Sequence, residues 1–176
     1  MNYQYKINEI KSMDRNTFVQ TFAGIFEDSS WVAEATWQAM PFDRVETLVA
    51  TLFNTVRNAD RETQLKLLRA HPELGAKKPL TGYSANEQAR AGLQQEHDAQ
   101  VALLADLNRR YRQKFGFPFI LAVKGLTPDK IMENFHARLD NAPEDEFNEC
   151  LTQVFRIAAL RLEDLLGETG RITGGQ

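Results

Sequence analysis

Residues 43–56 read DRVETLVATLFNTV, and in this stretch Val45, Leu48, Val49, Leu52, Phe53 and Val56 fall on one side of a helix. Asp43 and Glu46 ahead of it have the spacing of a capping box. The same 3.6-residue period continues in both directions. Upstream, Phe18, Phe22, Ile25 and Phe26 recur at helical spacing behind Asp14, a suitable N-cap. Trp31, Ala35 and Trp37 then mark a short helix that ends before Pro41. Downstream, Asp60 opens a helix carrying Leu65, Leu67 and Leu68, which must end near His71 because Pro72 disfavours α geometry in the residue before it. The stretch HPELGAKKPLTGY (71–83) holds two of the six prolines and two of the ten glycines and reads as a loop. Ser84 starts the longest helix, with Leu93, Val101, Leu104, Leu107, Tyr111 and Phe115 on one side and Gly116 as its stop. Phe117–Val123 is an apolar run, and periodicity alone leaves a buried strand, an extended segment and a helical one all open. Thr127-Pro128-Asp129 has the form of a helix start, followed by Ile131, Phe135 and Leu139. Pro143 opens a final helix through Phe147, Leu151, Val154, Ala158, Leu162 and Leu165, stopped by Gly167. The expectation is an all-α fold, a single compact domain of about seven to eight helices over residues 1–166, with a flexible tail over 167–176.

Composition narrows the function classes. The chain has 176 residues, with 21 Lys and Arg against 24 Asp and Glu, a net charge of −3 and 43% hydrophobic residues, which is enough apolar material for a sizeable core. Such a balance, with no basic cluster longer than Lys77-Lys78 or Arg109-Arg110, argues against nucleic acid as a partner. No apolar run approaches the roughly 20 residues of a membrane helix. Cys150 is the only cysteine, so no internal disulfide or CxxC metal motif exists. The polar N-terminus MNYQYKINEIKSMD and the C-terminal Gly-Gly-Gln carry no secretory or peroxisomal signal, and the expected location is cytoplasmic. Nucleotide-binding glycine loops and the GxSxG nucleophile elbow are both missing.

A few polar residues stand in places where their chemistry needs explaining. On the final helix Arg161 falls within about 60° of the centre of the apolar face, whereas Arg156 lies opposite it. A guanidinium so placed requires a carboxylate, carbonyl groups or an anionic ligand, so either a structural ion pair or a binding role accounts for it. Glu87, three residues after Ser84, completes a capping box, or alternatively orients a substrate hydroxyl or urea nitrogen; Gln88 beside it is suited to a neutral amide. His71 stands where a helix end meets a proline-rich loop, a position for a partly exposed, titrating imidazole or for a plain C-cap histidine. His97 and His136 are weaker candidates, and no HExxH spacing supports a metal site. The backbone of KFGFPFILAVKG (114–125) offers N–H and C=O groups to a planar, amide-rich ligand, or else the run is simple core. A helical interaction module, whose polar residues are only caps and ion pairs, is the competing class.

Taken in order, several motifs together resemble the OHCU decarboxylase family, whose enzymes act on 2-oxo-4-hydroxy-4-carboxy-5-ureidoimidazoline. They are His71-Pro72-Glu73-Leu74-Gly75, Leu80-Thr81, Ser84-Ala85-Asn86-Glu87-Gln88-Ala89, Gly92-Leu93, Leu107-Asn108 with Tyr111, Phe115-Gly116-Phe117-Pro118-Phe119-Ile120, and Ile157-Ala158 with Arg161-Leu162. Glu34-Ala35, Trp37 and Pro41-Phe42 fit the family's opening helices, so the likeness covers essentially the whole chain. The resemblance implies an all-α, cofactor-free and commonly dimeric enzyme that releases (S)-allantoin. It also implies His71, Glu87 and Arg161 as catalytic residues, with substrate contacts from Pro72, from Ser84, Ala85, Asn86, Glu87 and Gln88, and from Phe117, Phe119, Ile120, Leu121, Ala122 and Val123. No metal is expected.

Overall fold

Local chemistry starts three of the helices where the sequence places them. The computed structural model describes residues 4–75, 82–90 and 98–167, and among these are nine α-helices, one 3-10 turn and no strand. In order they are α1 (Ile7–Lys11), α2 (Arg15–Phe22), the 3-10 turn Ala23–Ile25, α3 (Ser30–Trp37), α4 (Val45–Arg57), α5 (Arg61–Ala70), α6 (Gly82–Arg90), α7 (Asp98–Phe115), α8 (Pro128–Leu139) and α9 (Pro143–Leu166). The all-α reading holds. Asp14 accepts the Thr17 N–H at 2.8 Å to open α2, and Asp60 accepts that of Thr63 at 2.7 Å to open α5. Thr127 caps α8 with Pro128 at its first position. Gly116 and Gly167 end α7 and α9 in the left-handed region, at φ +80° and +76°.

Both expected capping boxes fail. At α4 the residue before the helix is Arg44, whose side chain makes no cap, and Asp43 gives its carboxylate to Lys11 Nζ at 2.6 Å. A lysine 32 residues away outcompetes the local N–H groups. Further on, α6 begins at Gly82, so Ser84 lies within the first turn and cannot stand ahead of it as a cap. Of the run expected as one helix from Ser84 to Phe115, the described residues 84–90 and 98–115 are helical, and the longest helix among the described residues is the 24-residue α9. Leu80, Thr81, Gly92, Leu93, His97 and the tail after Gly167 lie outside the described residues.

The fold comprises two compact units. The first takes residues 1–67 and 155–176 and so contains α1 to α4, most of α5 and the C-terminal half of α9. All six stripe residues of α4 are buried, along with Ile10, Phe18, Phe22 and Phe26. Each such side chain withdrawn from water contributes roughly 1.5–3 kcal/mol. Phe26 meets Phe53 and Phe155 edge-on, and Arg57 lies 4.9 Å over the Phe155 ring. The second unit, residues 68–154, contains α6, α7, α8 and the N-terminal half of α9. Its core surrounds the fully buried Tyr111, which Phe117, Phe119 and Phe135 approach edge-on, while Phe119 and Phe135 stack at 4.0 Å.

Candidate active site

The second unit fixes the loop that follows His71. Helix α5 stops at Ala70, as Pro72 requires, and the His71 N–H still reaches the Leu68 carbonyl at 3.2 Å. His71 is only 6% exposed, more deeply placed than a helix-end position suggests. Beyond it, two side-chain amides replace the missing helical partners. Gln88 Oε1 accepts the Gly75 N–H at 2.9 Å and its Nε2 donates to the Glu73 carbonyl at 3.3 Å, while Asn108 Nδ2 donates to the Leu74 carbonyl at 2.9 Å. Gly75 has φ +68°, and a Cβ there would stand 2.4 Å from Leu104 Cδ2, so glycine is required at this position. Arg112 pairs with the Glu73 carboxylate at 2.9 Å on the outside.

Of the expected contact residues on α6, Ser84 and Gln88 are buried one turn apart, Ala85 and Glu87 are half-buried, and Asn86 faces solvent. A helix cannot aim five successive side chains one way. Gln88 uses both ends of its amide on main chain, so its first task is to hold the His71 loop.

Phe117–Val123 is buried and non-helical, with Ala122 half-buried. Lacking a neighbouring strand, it is held by side chains. Arg138 Nη1 donates to the Ile120 carbonyl at 2.7 Å, and Gln153 Oε1 accepts the Ala122 N–H at 3.0 Å. Arg138 belongs to a buried polar cluster that the sequence reading missed. Its Nε and Nη2 both donate to Glu146 Oε1, at 2.8 and 2.6 Å, and the same oxygen accepts from the Tyr111 hydroxyl. Asn141 donates to the other carboxylate oxygen at 2.7 Å, and the Cys150 sulfur lies 3.2 Å from both Tyr111 and Arg138. Burial raises the Tyr111 hydroxyl and pushes the Cys150 thiol up to about 11, so both stay neutral in the physiological range. Burial is the largest influence on Arg138 and opposes its charge, but the Glu146 hydrogen bonds and the acidic groups around it together outweigh that cost, and its pKa is raised. A signal for the cluster existed: Arg138 follows Phe135 by three and Ile131 by seven, in phase with the buried stripe of α8.

Arg161 belongs to the first unit. It is 2% exposed, as the helical wheel required, and Nη1 donates to the Gly24 carbonyl at 3.1 Å while Nη2 donates to Glu27 Oε2 at 3.0 Å. The 3-10 turn supplies Gly24, and the turn after it brings in Glu27, followed by Asp28 at φ +47°. Both structural alternatives raised for this guanidinium, a carboxylate and a carbonyl, are therefore realised together. Among the described residues no cluster of three His, Cys, Asp or Glu is placed to hold a metal, and His136 is exposed. No described helix is long and apolar enough to cross a membrane.

Comparison with known proteins agrees with the motif order. The model of the OHCU decarboxylase family matches residues 11–163. The 2-oxo-4-hydroxy-4-carboxy-5-ureidoimidazoline decarboxylase of Halalkalicoccus jeotgali is 42% identical over 159 residues, 90% of each chain. The uric acid degradation bifunctional protein of Bacillus subtilis is 40% identical over 166 residues, which are 94% of this chain and 34% of that one. Among solved structures, (S)-allantoin synthase matches with a TM-score of 0.74 and 28% identity over 91% of this chain and 53% of its own. An OHCU decarboxylase solved in the presence of (S)-allantoin shares the fold at a TM-score of 0.68, with 22% identity over 89% of this chain and 100% of that one. The chain belongs to the OHCU decarboxylase family.

Proposed function

We propose that this chain decarboxylates 2-oxo-4-hydroxy-4-carboxy-5-ureidoimidazoline (OHCU) to (S)-allantoin and carbon dioxide without a cofactor, the third step of urate degradation. The observation that carries the reading is the 42% identity, over 90% of both chains, to a decarboxylase of that substrate. A buried histidine on a loop clamped by two amides supports it.

In this substrate the carboxylate leaves from a carbon that also bears a hydroxyl and adjoins a ring carbon doubly bonded to nitrogen. As the bond to carbon dioxide breaks, its electron pair moves into the bond between the two ring carbons and displaces the C=N pair onto nitrogen, which takes a proton. The resulting enol then loses its hydroxyl proton while the ureido-bearing carbon gains one, giving allantoin. The substrate is its own electron sink, so binding, orientation and proton delivery are what remain for the protein.

His71 acts in this scheme as the general acid and base that manages the hydroxyl proton and protonates one face, which fixes the S configuration. Glu87 accepts hydrogen bonds from the hydroxyl or ureido group and holds the scissile bond parallel to the π system. Arg161 anchors the anionic end. Pro72, Ser84 to Gln88 and the Phe117–Val123 wall supply further substrate contacts, the wall excluding water as charge disperses. In the same reading the protein is a cytoplasmic homodimer, which light scattering of the purified protein tests.

The deciding experiment generates OHCU in situ from urate with urate oxidase and hydroxyisourate hydrolase and follows circular dichroism after addition of the protein. Rapid appearance of (S)-allantoin is expected, with turnover cut about 100-fold or more by His71→Ala. Slow racemic decay unchanged by the protein would return it to the class of helical interaction modules.

A further inference from the structure

Among the described residues, two side chains hydrogen-bond to the main chain of the Phe117–Val123 run. Arg138 takes the carbonyl of Ile120, and Gln153 takes the N–H of Ala122, two residues further on. In an extended run, main-chain groups two residues apart return to the same side, and those of the residue between them point the other way. The side chains of α8 and α9 thus stand in for a neighbouring strand along the Ile120 and Ala122 edge. Leu121 lies between these anchors, is only 7% exposed, and among the described residues neither its N–H nor its carbonyl has a hydrogen-bond partner. A buried donor and acceptor left open side by side match the edge of an amide or ureido group.

We propose that Arg138 and Gln153 are positioning residues: by holding Ile120 and Ala122 from behind, they turn the Leu121 N–H and carbonyl towards the amide edge of the substrate. Neither side chain touches the reacting atoms. Arg138 is itself fixed, with its guanidinium 4.5 Å over the Phe119 ring and two of its N–H groups on Glu146. Gln153 is fixed by donating to Glu149 at 2.6 Å. The inference rests on the decarboxylase reading for the identity of the ligand, but its structural part does not.

The test therefore has two arms. Gln153→Met keeps the length and packing of the side chain and removes the acceptor for Ala122. Arg138→Met combined with Glu146→Gln removes the hold on Ile120 without stranding a buried charge. The exchange Gln153→Glu with Glu149→Gln restores an acceptor at position 153 and a donor facing it. Steady-state kinetics with OHCU should show KM raised about ten-fold in Gln153→Met and in the Arg138 double variant, with kcat within about two-fold, and KM restored to within about three-fold by the exchange. Amide hydrogen exchange of residues 119–123 should be accelerated about ten-fold or more in the first two variants and restored in the third. In the wild type, (S)-allantoin should slow exchange at Leu121. A folded Gln153→Met protein with unchanged exchange across 119–123 overturns the proposal whatever its activity. Wild-type protein that turns over no OHCU overturns the decarboxylase reading, and the exchange arm still decides the anchoring.

Discussion

Helix α9 carries one member of each of two buried arginine–glutamate pairs, and the two are built differently. Glu146, near its start, binds Arg138 eight residues earlier in the chain; Arg161, near its end, binds Glu27 at a separation of 134 residues. The Glu146 carboxylate is crowded with donors, taking two from Arg138, one from Tyr111 and one from Asn141, and Arg138 has its remaining terminal nitrogen on Ile120. Arg161 is engaged with the Glu27 carboxylate and with the Gly24 carbonyl supplied by a turn. A charge in an apolar stripe thus announces that compensation exists without saying of which kind. The first pair is a brace within a core, and the second holds the arginine proposed above to anchor the substrate.

If that contrast is right, Glu146→Ala should have the largest effect on folding. It strands the Arg138 charge at a site with 7% side-chain exposure, and a loss of about 3–5 kcal/mol is expected in urea unfolding. A loss below about 1 kcal/mol would mean that water reaches the cluster and that it braces nothing.

The second pair should respond in the opposite way when both partners go. Arg161→Met with Glu27→Leu replaces buried charges by apolar groups of similar bulk, so stability should be unchanged or higher. Substrate affinity should nevertheless fall about 100-fold, read as KM for OHCU or as Kd for (S)-allantoin. Intact kinetics in this double variant would make Arg161 a second brace and dissolve the distinction.

The smallest effect contrasts both buried pairs with exposed carboxylates. Backbone N–H groups of Thr17 and Thr63 hold the Asp14 and Asp60 carboxyls below their ordinary value. A depressed folded-state pKa contributes stability that is present above the unfolded value, about 3.9, and is lost as the pH falls through the lower folded one. The urea midpoint should therefore decline below about pH 4, and Asp14→Asn with Asp60→Asn, which keeps both caps without the charge, should flatten that decline. Parallel pH profiles for the wild type and the double variant would show that the caps carry no charge-dependent stability.

Much of this architecture was legible because it is local. Asp14, Asp60 and Thr127 cap the helices they precede, the α4 stripe is buried throughout, and Arg161 is buried where a wheel drawn at 100° per residue put it. The failures share a cause. Asp43 preferred Lys11, 32 residues away, and Ser84 entered α6 because that helix starts two residues earlier. Asn108 and Gln153 look like ordinary helix surface in sequence, and Gln88 reads as a partner for a substrate amide, yet each turns inward to satisfy main chain that belongs to no helix. Unpaired backbone is invisible until the loop's path is known, so the side chains that answer it cannot be read beforehand. Arg138 and Glu146 were missed differently, as charges on apolar stripes that the same reasoning used for Arg161 would have flagged.

The division of the chain also sets an order of events during synthesis. The second unit is one continuous stretch, 68–154, whereas the first is made of residues 1–67 and of a segment that begins at Phe155. As the polypeptide leaves the ribosome, Gln88 and Asn108, which hold the His71 loop, and Arg138 and Gln153, which hold the aromatic wall, are present before residue 155 emerges, while Glu27 waits for an arginine made more than a hundred residues later. Long-range closure of that kind is slow, because the intervening chain must be ordered before the contact repays it. During that interval the Phe26 and Phe53 rings lack the Phe155 ring that meets them in the finished fold, and so leave apolar surface to water for longer than the rings of the second unit do.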